Sequence, residues 1–133
     1  MEFHKDKCIN CDLCSEVCSL HKLGRIQPSA AAIRVTRDPS PYLGERRCAV
    51  CDMAHDRACV DSCPEDALIF DESAGVIRFD AGACTGCLNC LDACPNVARD
   101  PLSGRIMICD LCDGSPLCVE WCPEHALTWE GRA

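Results

Sequence analysis

The spacing of the cysteines constrains this chain more than any other feature. All sixteen cysteines of the 133 residues fall into four blocks of four, with none left over. Blocks I and III are regular, with the spacing C-x2-C-x2-C-x3-C, whereas blocks II and IV carry extra residues before the third cysteine. The blocks are Cys8, Cys11, Cys14 and Cys18 (I); Cys48, Cys51, Cys59 and Cys63 (II); Cys84, Cys87, Cys90 and Cys94 (III); and Cys109, Cys112, Cys118 and Cys122 (IV).

So many cysteines in a short chain indicate either a disulfide scaffold or a metalloprotein. The residues before Cys8 are charged and hold no apolar segment of the kind that a secretion signal needs. No apolar run in the sequence is long enough to cross a membrane. We therefore expect a cytoplasmic protein without direct membrane insertion, where disulfides are disfavoured and metal binding is the better interpretation.

The regular blocks favour iron–sulfur clusters over zinc. Three thiolates spaced two residues apart can wrap one cubane cluster, while the fourth cysteine, three residues further on, points to a second cluster. Zinc sites use pairs of C-x2-C pairs, so three-cysteine runs would leave an odd thiolate. Blocks II and IV keep four cysteines despite their insertions. The sequence thus predicts four [4Fe–4S] clusters with all sixteen cysteines as iron ligands, and leaves zinc and disulfides as remote alternatives.

The segments between the blocks predict an α+β fold of short hairpins and short helices around the four clusters. One hairpin is expected over 63–79 around Gly75 and a second over 97–108 around Pro101 and Gly104. Short helices are expected near 12–20 and 88–93. Residues 25–44 contain three prolines and Gly44 around a strand candidate at 32–36, and we expect a surface insert that serves in docking.

The charge and the missing motifs exclude several function classes. The formal net charge is −8, and ligating thiolates with oxidised cluster cores bring it to roughly −16. Such a surface argues against nucleic acid and favours a partner with a basic face. There is no glycine-rich nucleotide loop, no nucleophile pattern and no thiol left after ligation, so we expect no catalysis by this chain alone. Lys7, Arg46 and Arg47 are the cations expected to raise cluster potentials.

The order regular, expanded, regular, expanded resembles the ferredoxin-like small subunits of multi-subunit oxidoreductases. These include subunits of dimethyl-sulfoxide reductase, formate dehydrogenase, formate hydrogenlyase and CO dehydrogenase systems, and polyferredoxin subunits of tungsten aldehyde oxidoreductases. The resemblance covers the whole chain and implies one-electron transfer with a larger catalytic redox subunit. It departs at Ser19, because Pro follows the last cysteine of the other three blocks.

The expected partner is a tungsten or molybdenum enzyme of the aldehyde oxidoreductase type, with a flavin or ferredoxin as a further electron acceptor. The alternatives are a subunit of a CO dehydrogenase, hydrogenase or formate dehydrogenase, a freely diffusing polyferredoxin, and a remote zinc-binding interaction module.

The resemblance also implies nested pairing of the blocks, I with IV and II with III. The chain 1–133 is then one polyferredoxin unit, with module A from 1–24 plus 97–133 and module B from 45–96. Sequential pairing, I with II and III with IV, stays open as the alternative. The nested ligand sets are Cys8, Cys11, Cys14 with Cys122; Cys109, Cys112, Cys118 with Cys18; Cys48, Cys51, Cys59 with Cys94; and Cys84, Cys87, Cys90 with Cys63.

Overall fold

The computed structural model describes residues 1–37, 46–49 and 57–130, with the backbone alone for 34–37 and 46–49. Within these ranges, none of the helices combines the length and apolar character that crossing a lipid bilayer requires. The helices are α1 (Leu13–Leu23), α2 (Ala58–Ser62), α3 (Asn89–Ala93) and α4 (Leu117–Trp121), with 3₁₀ turns at Pro28–Ala30 and Leu111–Gly114. The strands are β1 (Glu2–Phe3), β2 (Arg34–Arg37), β3 (Arg46–Ala49), β4 (Leu68–Asp71), β5 (Val76–Phe79), β6 (Ala98–Arg99), β7 (Ile106–Met107) and β8 (Leu127–Thr128).

The two predicted hairpins are confirmed as antiparallel pairs, β4 with β5 and β6 with β7. Both turns close in the same way. The Gly75 N–H donates to the Asp71 carbonyl at 2.7 Å, and the Gly104 N–H donates to the Asp100 carbonyl at 2.8 Å. Both glycines are left-handed, with φ of 71° and 74°, a conformation that most other residues resist. Each aspartate side chain also accepts hydrogen bonds from backbone N–H groups of its turn, which explains why these short hairpins form.

A further antiparallel pair joins distant parts of the chain. Strand β1 pairs with β8, so that Phe3 lies opposite Leu127. Beyond the ladder, the His4 N–H donates to the Ala126 carbonyl at 2.7 Å, and His4 Nε2 lies 3.0 Å from Thr128 Oγ1. Residues 2–3 carry no strand pattern of their own in the sequence. This pairing fixes the segment that precedes block I against the segment that comes after block IV.

The helices pack in two pairs, α1 against α4 and α2 against α3. Helices α2, α3 and α4 have five residues each, and the cysteine after each one is extended, with ψ between 111° and 124°. A proline follows each of these cysteines, and the residue before a proline avoids the helical conformation. Helix α1 has eleven residues because Ser19 replaces that proline and the helix continues to Leu23, past the predicted end near residue 20.

Ser19 also holds the chain that leaves the end of α1. Its side chain is fully buried, and its hydroxyl donates to the Glu16 carbonyl and accepts from the Gln27 N–H, both at 2.9 Å. The helix ends at Gly24, which is left-handed with φ 75° and donates its N–H to the Leu20 carbonyl. The chain therefore turns back at Gly24 and runs along the helix that it has just left.

Two hydrophobic cores hold these elements together. Residues 30–33 are only 0–4% exposed, and three of them, Ala31, Ala32 and Ile33, belong to the second core. The expectation of a surface insert therefore does not hold for this stretch, because the turn at Pro28–Ala30 directs three alanines and Ile33 inward. Residues 38–44 of the expected insert lie outside the described residues. The first core is formed by Cys59, Leu68, Val76, Ile77, Cys90, Cys94, Val97, Ile106, Ile108 and Leu111, and the second by Cys18, Ala31, Ala32, Ile33, Cys118 and Leu127.

Candidate iron–sulfur cluster sites

Three cavities in the described part of the chain are each lined by four cysteines. In every case three cysteines come from one block and the fourth comes from another. We name each cavity after the block that gives three. The block I cavity is lined by Cys8, Cys11, Cys14 and Cys122; the block III cavity by Cys84, Cys87, Cys90 and Cys63; and the block IV cavity by Cys109, Cys112, Cys118 and Cys18.

The remaining four cysteines are described only in part. Cys59 and Cys94 are buried in the first core, and they lie close enough for a charge on Cys94 to act on Cys59. Only the backbone of Cys48 is described, within β3, and Cys51 lies outside the described residues. The structure thus brings together two members of this predicted set. Among the described residues, no three His, Cys, Asp or Glu side chains come close enough to share a single metal ion.

The loops of the two regular blocks have the same backbone conformation. Asn10 and Asp12, on either side of Cys11, are left-handed with φ of 67° and 63°. The equivalent positions around Cys87 are Gly86 and Leu88, with φ of 77° and 65°. Left-handed residues alternating with others turn successive N–H groups to one side, which forms a concave site for anionic groups. An anionic iron–sulfur cluster with its thiolates fits such a loop.

Blocks II and IV end in a second repeated feature. Asp66 and His125 are left-handed, with φ of 50° and 51°. The next N–H in each segment points at a cysteine sulfur, Ala67 at Cys63 Sγ and Ala126 at Cys122 Sγ, both at 3.3 Å. Hydrogen bonds to the ligating sulfurs are one of the ways in which a protein tunes an iron–sulfur cluster.

Burial disfavours the thiolate form of several of the clustered cysteines. Burial raises the pKa of Cys59 and Cys109 to about 11 and that of Cys118 to about 12. Burial also raises the pKa of Cys18 and Cys90 above the ordinary thiol value. Neighbouring thiolates add to the effect at Cys59 and Cys118, because like charges repel. A coordinating metal centre removes this penalty, since it binds the thiolate and displaces the proton.

The block IV cavity contains a lysine that the sequence did not single out. Lys22, in the last turn of α1, lines this cavity, and its Nζ lies 2.9 Å from Asp110 Oδ1. The same oxygen accepts the Cys112 N–H at 2.9 Å. The Arg105 guanidinium donates to the Lys22 carbonyl at 3.1 Å, which fixes the end of the helix. Lys7, a cation expected beside block I, is not among the residues lining the block I cavity.

The cysteine motifs, the four-cysteine cavities and the sulfur-directed N–H groups define an iron–sulfur protein. The chain belongs to the ferredoxin-like iron–sulfur electron-transfer family. Residues 47–98 match the family model described as a 4Fe-4S dicluster domain, and this range contains all eight cysteines of blocks II and III. The prediction of 4Fe–4S electron transfer is thereby confirmed.

Three relatives show how this family is used. The chain is 41% identical to the polyferredoxin-like subunit of an aliphatic sulfonate oxidoreductase from Pyrococcus furiosus, over 90% of this chain and 68% of the relative. It is 35% identical to subunit beta of an NADH-dependent phenylglyoxylate dehydrogenase from Aromatoleum evansii, over 94% of this chain but 28% of that subunit. It is 32% identical to the ferredoxin-like protein YdhX of Escherichia coli O157:H7, over 92% of this chain and 60% of that protein. Two of these relatives thus extend well beyond the region that the chain spans.

Proposed function

We propose that this protein is the electron-transfer subunit of a multi-subunit oxidoreductase and carries single electrons through four [4Fe–4S] clusters. The observation that supports this most strongly is the set of three cavities, each lined by four cysteines from two blocks. When bound, the clusters supply reversible one-electron oxidation and reduction. The thiolates would hold them, and the N–H groups of Ala67 and Ala126 would stabilise charge on the sulfurs of Cys63 and Cys122.

The proposed ligand sets are nested. Three sets are those of the block I, block III and block IV cavities, and the fourth is Cys48, Cys51, Cys59 and Cys94. The packing of α1 against α4 and of α2 against α3 supports this pairing, as does the single dicluster match across blocks II and III. Module A is then 1–24 plus 97–133, and module B is 45–96.

The proposed partner is a larger catalytic redox subunit. Two relatives carry the names of subunits of an aliphatic sulfonate oxidoreductase and a phenylglyoxylate dehydrogenase. By its resemblance to small polyferredoxin subunits, we assign the partner to the tungsten or molybdenum enzymes of the aldehyde oxidoreductase type, with a flavin or ferredoxin as the external carrier. This chain itself performs no catalysis in the proposal.

One face of the block I cavity suits contact with such a partner. Cys11 is exposed. Ile9, which lines the cavity beside Cys8, is 53% exposed, and Trp121, which precedes Cys122, is 54% exposed. Exposed aromatic and aliphatic side chains are typical of interface anchors. The acidic surface would steer a partner with a basic face toward this side of the protein.

Anaerobic purification with iron, sulfide and zinc analysis tests the chemistry. About sixteen irons per chain are expected from four cubane clusters, whereas about four zincs would replace the proposal with a zinc-binding module. Native co-purification from the host then separates a subunit from a free carrier. A chain that elutes alone at native abundance would exclude the subunit assignment.

The nesting is tested by changing Cys122 to Ser and measuring hydrogen exchange. In the nested arrangement Cys122 completes the block I cavity, so protection should be lost over residues 5–20. The matched control is Cys63→Ser, which should reduce protection over residues 80–95 and leave the N-terminal segment protected. Loss over residues 80–95 in the Cys122 variant would instead support sequential pairing.

A further inference from the structure

The walls of the three cavities differ in charge. Asp12 and Glu124 are among the residues that line the block I cavity, and Glu65 is among those that line the block III cavity. The block IV cavity has Lys22 together with Asp110. Of these three cavities, the block IV cavity has a cationic side chain in its lining and the other two do not. The three sites therefore offer different surroundings to the same kind of cluster.

The position of Lys22 makes its charge effective. Its side chain is 14% exposed and that of Asp110 is 29% exposed, so water and salt screen this pair less than a surface pair. The 2.9 Å contact between Lys22 Nζ and Asp110 Oδ1 holds the ammonium beside the lining of this cavity. Cysteines aside, the side chains that line the block IV cavity carry no net formal charge, whereas those that line the block I and block III cavities are net negative.

We propose that Lys22 raises the reduction potential of the cluster held by Cys18, Cys109, Cys112 and Cys118 above those of the clusters in the block I and block III cavities. The inference rests on the proposed function. Reduction adds one electron, supplied by the partner enzyme or its carrier, to a cluster that is already anionic, and no bond or proton changes place. A nearby ammonium stabilises the more negative reduced form more than the oxidised form. An electron shared among these three sites therefore rests in the block IV cavity.

The resting site also borders the other module. Lys22 and Asp110 line both the block IV cavity and an adjacent cleft. Phe79 and Ile106 line the same cleft and also the wall of the block III cavity. A cluster in the block IV cavity is thus separated from one in the block III cavity by a single cleft. An electron resting there is placed where it can cross between the modules.

The test is an anaerobic EPR-monitored redox titration of the intact native complex carrying Lys22→Met. We expect the midpoint of one cluster to fall while the others stay unchanged. The expected change is at least tenfold in the equilibrium constant for its reduction, which is about 59 mV for a one-electron couple. In the wild-type complex, the cluster whose midpoint Lys22→Met lowers should have a higher potential than at least two of the other clusters. Asp110→Asn, which keeps the oxygen that accepts the Cys112 N–H, should move the same midpoint upward.

Two further variants separate charge from structure. Lys22→Arg keeps the charge and should restore the wild-type midpoint, whereas a purely structural role would leave it displaced. Arg99→Met removes an exposed cation outside the walls of all three cavities and should leave all midpoints unchanged. The inference is overturned if neither Lys22→Met nor Asp110→Asn moves a midpoint, or if the two move it in the same direction. Normal iron content with unmoved midpoints would reject this inference alone, whereas an iron-free chain would reject the proposed function as well.

Discussion

Replacing Ser19 with Pro would give block I the same Cys-Pro junction that ends the other three blocks. Ser19 is the seventh residue of the eleven in α1. A proline there removes the N–H that continues the helix, and its ring collides with the preceding turn, which costs about 3 kcal/mol. The variant also loses the two hydrogen bonds of the buried hydroxyl, to Glu16 and Gln27. Each is worth about 1 kcal/mol, so the free energy of unfolding should fall by about 5 kcal/mol.

The matched control is Ser19→Ala, which keeps the helix and removes only the hydroxyl. Its free energy of unfolding should fall by about 2 kcal/mol. The measurement is anaerobic denaturant unfolding of the cluster-loaded protein, monitored by far-UV circular dichroism and visible absorption. The proline variant should also lower the same cluster potential as Lys22→Met, because the last turn of α1 positions the lysine. The reasoning is refuted if the two Ser19 variants unfold within about 1 kcal/mol of each other, which is less than a helix-interior proline costs.

Two other perturbations test the packing and the charges. Ile77→Ala removes a side chain that is 1% exposed and should lower the free energy of unfolding by about 2–4 kcal/mol. The control Ile69→Ala, at a site that is 55% exposed, should change the free energy of unfolding by less than about 0.5 kcal/mol in the same denaturant assay. At Asp100, hydrogen bonds from Ser103 and then Arg25 hold the carboxyl pKa below its usual range. The stability that this carboxylate contributes is therefore present above its unfolded-state pKa of about 3.9, and it is lost as the pH falls toward the folded-state pKa. Wild-type protein should therefore lose more stability than Asp100→Asn on acidification from about pH 5, and equal acid sensitivity in paired unfolding curves would contradict this.

The sequence predicted those parts of the fold that depend on neighbouring residues. The hairpins at 68–79 and 98–107 depend on local turn residues, Asp71 with Gly75 and Asp100 with Gly104. Helix α3 lies within the predicted range 88–93 because its position depends on the block spacing, and the Cys-Pro pair that follows it ends the helix. In each case the chemistry that decides the conformation lies within a few residues along the chain.

The features that the sequence did not predict depend on contacts between distant residues. Strand β1 has two residues and no periodic pattern, and it exists because β8 lies beside it. Ala31, Ala32 and Ile33 are buried because they pack in the second core, which also contains Leu127. Lys22 enters the block IV cavity because α1 packs on α4. Ser19 was the residue in the sequence that could have indicated the position of Lys22. Without a proline after Cys18 the helix can continue, and its longer last turn places Lys22 at the block IV cavity.

The cavity that joins Cys8, Cys11 and Cys14 with Cys122 has a consequence for biosynthesis. During translation the first three thiols emerge early, whereas the residue that completes their surroundings is made only after blocks II and III. Contacts between residues so far apart in the chain form slowly, because a long loop must close first. A nascent chain therefore presents an unfinished block I to the cell for most of its synthesis. In the proposed ligand set, cluster assembly at this site is complete only once residue 122 has been made, and a product that stops short of it lacks the fourth cysteine of the cavity.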